Sequence, residues 1–570
     1  MVQDVYEPLA RYRDEFRARH AALTREKFAA FVRASGVDVA ANRRTVSTIL
    51  TLERRAGAVR TRRSVLAFLA TAGFLAAAAG AGCLFLEVEQ AVRAKALVVA
   101  GAAAALLFAV WMLVIRSRFT DDLRALESRI DTFRRRAWEQ MAPLNALFTW
   151  DVPVKLVEAT VPRLAFDPYF SARRLADLRR LCGWDDAFNE GRSVVGSQSG
   201  VINGNPFVFG DCLVENWGEE TYTGSLSISW LEEEEDDEGH VHLVRRHETL
   251  HASVEKPCPF YTRDKVLIYG NDAAPNLTFT REPSDLSGEN PGFWKSLRRR
   301  WARRRLEAFS RNLEDDSNYT IMANREFETL FETKDRDNEV EYRLLFTALA
   351  QIQMLALLND RKVGYGDDFT FLKLHRINVL RATHLDEAEL DTDPDRFRHW
   401  SVDAAERIFQ TFNEKFFKDV YFSLAPILAI PLYQQTRPHA DIWKGVVDEE
   451  ASSFWEHESI ANYHGEEAFR PDDCATRCIL KTRVLRRDDD GARVAVTAHG
   501  YRTEERVDYV PVWGGDGNLH EVPVHWDEYL PVSRTREMTL TERATPASRF
   551  RAAFEHAAAT AFRRSIYSYL

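Results

Sequence analysis

The fold class this sequence predicts is α+β: a two-helix transmembrane hairpin with a helical stalk, then cytoplasmic domains mixing helices with antiparallel sheets. Three observations carry that expectation. Two runs, Ser64–Leu86 and Ala96–Ile115, contain no charged residue and lie nine residues apart. Apolar residues recur at helical spacing on both sides of them. Beyond about residue 190 the period falls to two in several separate stretches, as half-buried strands require. The expected organisation is N-terminal cytoplasmic helices over 1–63, the hairpin over 64–115, the stalk over 116–150, an α+β domain over 151–445, and a β-rich domain with a closing helix over 446–570.

Each uncharged run is about 20 residues, the length a helix needs to cross about 30 Å of hydrocarbon. A cleaved signal peptide is excluded, because the first run is too long and begins too far from Met1. Two buried Ala-rich helices of a soluble protein are the alternative, disfavoured because runs this apolar are rare there. Arg54, Arg55, Arg60, Arg62 and Arg63 precede the first run, and Arg116 and Arg118 follow the second. Positive flanks stay cytoplasmic, so both termini are expected inside. Gly73, Gly80 and Gly82 are small enough to let the two helices approach closely.

Charge is unevenly spread along the chain. The net charge is −10; residues 1–63 carry +7 and residues 116–140 carry +2, which leaves −19 for residues 141–570. A basic collar suits anionic lipid. An acidic body argues against nucleic acid as a partner. Six cysteines in 570 residues make no disulfide framework.

In chain order, residues 4–34 read as helix, Ser35-Gly36 as a break, and a second helix runs from about Val39 into the first span. Leu123, Leu126, Ile130, Phe133 and Trp138 continue the helical period after the second span. Those two stripes are expected to pack on each other as an antiparallel coiled-coil stalk, or each on the body. Residues 171–188 predict a short helix. Segments 194–202, 206–217, 221–231 and 240–255 predict four strands, with turns at Gly204-Asn205-Pro206 and Gly218, and residues 265–270 a fifth. Residues 324–331 and 339–361 predict helices, 368–374 and 376–380 strands, and 403–420 a helix. The apolar stretch 420–433 is too short and too proline-broken to span a membrane, and predicts core or a helix–strand junction, with a re-entrant segment as the alternative. From Cys478 a meander of about four strands is expected, then a helix over 546–564.

The sharpest motif is HETLH, His247–Glu248–His251, which matches the HExxH pattern of zinc hydrolases. That chemistry needs a helix, since only there do residues four apart bring two imidazoles to one metal. The flanking alternation predicts a strand instead, with surface histidines. Cys474 and Cys478 have the spacing of structural zinc ligands, with His457 and His464 upstream; plain packing is the simpler role. Lys295, Arg298, Arg299, Arg300, Arg303, Arg304 and Arg305 surround an apolar stripe that includes Trp294 and Trp301. Such a basic amphipathic helix is suited to an anionic membrane surface, to the acidic run Glu232–Glu238, or simply to solvent. GYGDDF, 364–369, pairs two carboxylates after a turn, either as an acid pair or as a cap. No phosphate loop, nucleophile elbow, dinucleotide fingerprint or kinase signature is present.

The segment FETLFETKDRDNEVEYRLLFT, 327–347, and the strand around PFVFGDCLVEN, 206–216, carry a resemblance. In the order of its parts the chain resembles a family of uncharacterised bacterial membrane proteins with an N-terminal transmembrane hairpin and a cytoplasmic α+β domain. The resemblance spans about residues 60–385 and implies no catalytic residue. The functional expectation is therefore an inner-membrane protein whose cytoplasmic body is a non-catalytic binding or scaffolding module for a protein partner. No cofactor is expected, and a homo-oligomer is compatible with the sequence. The alternatives are a zinc-dependent hydrolase at 247–251 and a sensor of anionic lipid surfaces.

Overall fold

The computed structural model describes residues 5–83, 92–235, 241–287, 298, 301–302, 322–333, 335–436, 451–488, 491–542, 560–563 and 566–570. The chain divides into two compact units. One comprises Thr24–Thr149 with Pro394–Phe412, and the other Met1–Leu23, Trp150–Asp393 and Asn413–Leu570. The expected boundary at 445/446 lies outside the described residues.

Helix formation at the N-terminus follows ordinary capping chemistry. Pro8 opens α1 (Pro8–Arg11), a position where its missing N–H costs nothing. A π-helical turn over Tyr12–Phe16 leads into α2 (Arg17–Ser35), and Gly36, at φ +63°, lets the chain leave the helix. Asp38 accepts from the Ala41 amide at 2.9 Å and starts α3 (Val39–Cys83), which α4 (Val92–Asn145) follows.

In the first unit α3 and α4 pack antiparallel. Ile49, Leu52, Ala56, Leu123, Ile130 and Ala137 form one buried seam, so the two stripes meet each other. Arg60–Glu127 at 3.0 Å and Arg134–Glu53 at 2.6 Å flank it. Further along, a Cβ built on Gly73 would stand 3.0 Å from that of Ala109, and one on Gly80 3.0 Å from that of Ala102. The expected close approach at those two glycines is therefore present; the packing around Gly82 is not among what is described. Both helices are long and apolar enough to cross a membrane. Phe68, Leu75, Leu97, Leu107 and Trp111 of these stretches are exposed.

The second unit is built on two antiparallel sheets. Short helices α5 (Val152–Thr160) and α6 (Ala172–Cys182) precede most of the first sheet. That sheet contains β1 (Leu164–Phe166), β2 (Arg192–Ile202), β3 (Asn205–Glu235), β4 (Val241–Gly270), β5 (Thr278–Arg281), β6 (Phe369–Leu374) and β7 (Ile377–Ala382), in the order β1-β2-β3-β4-β7-β6-β5. Asn203 and Gly204, at φ +53° and +84°, make the two-residue turn from β2 to β3 where a turn was expected.

Helices α7 (Arg325–Phe331), α8 (Glu339–Leu345) and α9 (Ala348–Asn359) lie in the interval between β5 and β6. Asn324, Asn338 and Thr347 cap them through their side-chain oxygens. Phe327 stacks on Phe331 at 5.0 Å, and Arg336 is buried between Glu328 and Glu339 at 3.0 and 2.7 Å. The 327–347 segment is thus a capping and packing module. After β7 come α10 (Thr383–Asp386), α11 (Val402–Leu428) and α12 (Pro431–Gln435). Residues 420–433 are core, as expected, but helical up to Leu428.

The second sheet is β8 (Ile479–Asp488), β9 (Gly491–Trp513), β10 (Leu519–Thr541), β11 (Thr560–Arg563) and β12 (Ile566–Tyr569), in the order β11-β12-β10-β9-β8. Helix α13 (Phe454–His464) precedes it in the chain and packs on β2 of one sheet and β8 of the other. The expected C-terminal helix is corrected at its end: residues 560–563 are strand, paired with β12. Residues 543–559 lie outside the described residues.

Strand length is where sequence reading and structure part. Segments 206–217 and 221–231 are one strand, and so are 240–255 and 265–270. Gly218 makes no turn. It pairs in register with Cys258, and the Phe260 ring lies 3.1 Å from where its Cβ would be. Pro257 and Pro259 are tolerated because a two-stranded ribbon points every second N–H away from its partner. Likewise β9 runs unbroken through 502–504.

Past Val214 and His499, where β2 and β8 stop pairing, β3–β4 and β9–β10 continue as two ribbons. Residues 215–235 alone extend for about 70 Å at roughly 3.3 Å per residue. The ribbons face each other. Gly224 lies under Pro523, whose carbonyl oxygen would be 2.1 Å from a Cβ there. Lys256 pairs with Asp508 at 2.6 Å and sits over the Trp526 ring at 4.2 Å. Tyr501 donates to Glu215 at 2.5 Å. A single ribbon is marginal in water; together the two make a four-stranded arm.

Candidate functional site

The sequence-derived candidates are dispersed. His247, Glu248 and His251 lie on β4 opposite Ser229, Ile228 and Ser225. A strand sets the two histidines about 13 Å apart along its length, whereas one shared metal needs them a helical turn apart. Glu248 accepts from the Gly515 amide at 2.7 Å, which ties the two ribbons. Cys474 and Cys478 are buried with sulfurs 3.6 Å apart, beneath Gly500, where a Cβ would be 2.5 Å from the first sulfur. Burial pushes the Cys478 thiol up to about 12. The upstream histidines go elsewhere: His457 to Ser452 at 2.9 Å and His464 to Ser568 at 2.7 Å. Among the described residues no group of three or more His, Cys, Asp or Glu is placed to hold a metal ion. Of the basic segment 293–313 only Arg298, Trp301 and Ala302 are described, the first two exposed. Lys295, Arg299, Arg300, Arg303, Arg304 and Arg305 lie outside the described residues.

The carboxylates of GYGDDF separate. Asp367 pairs with buried Arg281. Asp368 holds His384 Nδ1 at 2.5 Å, and His384 Nε2 meets Ser423 Oγ at 3.1 Å. The order is that of a hydrolytic triad, but the access is not. Ser423 is buried in α11 and donates to the Asp419 carbonyl at 2.8 Å. A nucleophile has to reach its substrate with an oxyanion site beside it. Here the chain ties α10 to α11. The turn itself is capped by Asp360, which accepts from the amides of Val363 at 3.2 Å and Gly364 at 2.5 Å.

Among the described residues helix α13 buries Glu456, His457, Glu458 and Ser459 together, although acidic residues usually face solvent. Glu456 accepts from Ser197 at 2.9 Å. Glu458 accepts from the Val194 amide at 2.9 Å and from Lys481 at 3.3 Å. Burial raises the Glu458 carboxyl to about 7, against the pull of Lys481. Burial pushes His457 down to about 3, so it is neutral. Since Ser452 donates to Glu542, the proton of His457 is on Nε2. Glu458 thereby joins β2 of the first sheet to β8 of the second.

Among the described residues a cleft of about 840 Å³ opens at the end of α6. Gly183, at φ +77°, ends the helix: its amide returns to Arg179 at 3.1 Å and that of Trp184 to Leu178 at 3.2 Å. This double return fixes where Trp184 leaves the helix. Trp184 packs on Phe188 at 4.7 Å, and both line the cleft. Leu372, Leu374, Ile377 and Val379 supply the opposite side from alternate positions of β6 and β7. Arg180, Arg376 and Arg381 also line it, against Asp185. Cys182 lines it as well, but burial pushes its thiol up to about 12, so it is no nucleophile at neutral pH.

Comparison with known protein families, with curated proteins and with solved structures finds no match for this chain. Function is therefore read from the geometry.

Proposed function

We propose that this is a bacterial inner-membrane protein, held by α3 and α4 with both termini cytoplasmic. In this reading its body is a non-catalytic module that recognises a protein partner through the four-stranded arm. The arginine flanks of the two apolar runs support the orientation. The observation that carries partner recognition is the arm's surface. Trp217, Leu231, Leu243, Phe260, Tyr509, Trp513 and Leu519 are all exposed on it, Trp513 by 71%. Exposed aromatic and apolar side chains gathered on one element mark interaction surfaces.

The test places a photo-crosslinking amino acid at Trp513 or Tyr509 of the full chain in its native membrane, with Arg486 as a control. A discrete adduct from the arm positions alone is the expected result. No adduct, or the same products from all three positions, refutes the reading. Protease should reach the body in inverted vesicles and spare it in right-side-out ones; the reverse refutes the orientation.

A further inference from the structure

We propose that the cleft between the end of α6 and the β6–β7 hairpin is a binding site for an anionic amphiphile. Such a ligand is an apolar chain or ring carrying one carboxylate or phosphate. Volume, lining and the exposed guanidinium donors each point there. At about 840 Å³ the cleft is within the range of small-molecule sites.

Its lining has two parts. The apolar part is Leu372, Leu374, Ile377 and Val379 on one side and the Trp184–Phe188 pair on the other. Leu374 is 45% exposed, which a closed core would not leave. The cationic part is built by the same elements. A two-residue turn, His375-Arg376, joins β6 to β7 and sets Arg376 beside the α6 terminus, where it donates to the Leu181 carbonyl at 3.3 Å. Arg376 also meets Asp272 at 3.2 Å, and Arg381 meets Asp264 at 3.1 Å. A guanidinium has five donors, and the side chains of Arg180 and Arg376 are 74% and 49% exposed. Arg180 likewise meets Asp177 at 3.7 Å, so each of the three arginines has a carboxylate partner, and an anion is held by the guanidinium donors those pairs leave over. The apolar body then lies on the leucines, with its charged end at the arginines.

The probe is dodecanoate, titrated calorimetrically into the full chain in phosphatidylcholine nanodiscs, with empty discs subtracted. Saturable binding at one site per chain is expected. It should weaken at least tenfold in Arg376→Glu and in Leu374→Asp, and dodecanol should bind at least tenfold more weakly than dodecanoate. The surface change Arg486→Glu should leave binding unchanged. Both cleft substitutions are at exposed side chains, and circular dichroism verifies their fold. Heat no greater than that of empty discs, or equal affinity in both cleft variants and the parent, overturns the proposal. Discs containing phosphatidylglycerol identify the source. Competition there supports the site with a bilayer lipid as occupant, and unchanged affinity supports it with a soluble amphiphile.

Discussion

Replacing Glu458 by glutamine removes one buried charge where α13 joins the two sheets, and the consequence is a change in the pH dependence of stability. Burial raises this carboxyl from 4.5 to about 7. The folded chain therefore holds its proton more tightly than the unfolded chain does. The stability this group contributes is complete below about 4.5 and is lost as pH rises through about 7. Some 2.5 units at about 1.36 kcal/mol each give a loss of about 3 kcal/mol. The Glu458→Gln side chain would keep an acceptor for the Val194 amide and would not titrate. Lys481, whose side chain is 31% exposed, would lose its carboxylate at small cost and keep the Asn189 carbonyl at 2.7 Å.

Stability of the variant relative to the parent should then climb by about 3 kcal/mol between pH 4.5 and 8. Native-state hydrogen exchange of the α13 amides, in the full chain, reads that difference directly. Taking the difference cancels every other titrating group. A difference that stays flat with pH, or falls, would refute the assignment of a buried, proton-holding Glu458.

Other consequences are equally specific. Burial lowers His457 to about 3 and His20 to about 4. For a base so lowered the unfolded chain binds more protons, so stability falls as pH drops from about 6.5 toward those values; acid unfolding monitored by tryptophan fluorescence should begin below 6.5 and be less steep in His457→Gln. Trp455 is buried over Gly210 and edge-on to Phe170 at 5.6 Å, so Trp455→Ala should cost about 3–5 kcal/mol, seen as a lowered denaturant midpoint. A side chain at Gly224 meets the Pro523 backbone. Gly224→Val should therefore separate the two ribbons, at about 1–3 kcal/mol, with faster exchange confined to 215–266 and 500–538. Gly73→Leu should push α3 from α4 at Ala109 and weaken a cross-link engineered between positions 80 and 102.

Periodicity and charge determined much of this protein directly. The two apolar runs, the helices that flank them, the short helix after Ser171 and the strands on either side of His375 follow from local spacing alone. So does the strand character of HETLH, because alternation is a local property. The length of β3, β4, β9 and β10 does not follow. Gly218, Pro257 and the charged stretch 502–504 look like interruptions in isolation. Each is accommodated only because a partner strand, or a ring such as Phe260, lies across from it.

The same holds for the polar sites. His457 reads as a candidate zinc ligand until burial on α13 turns it to Ser452, and Asp367 and Asp368 read as an acid pair or a cap until Arg281 and His384 draw them apart. Trp184 and Leu374 lie about 190 residues apart, and no local pattern brings them to one cleft. Spacing along the chain encodes which elements form. Which side chains meet depends on long-range packing, where burial and charge pairing between distant elements outweigh local preference.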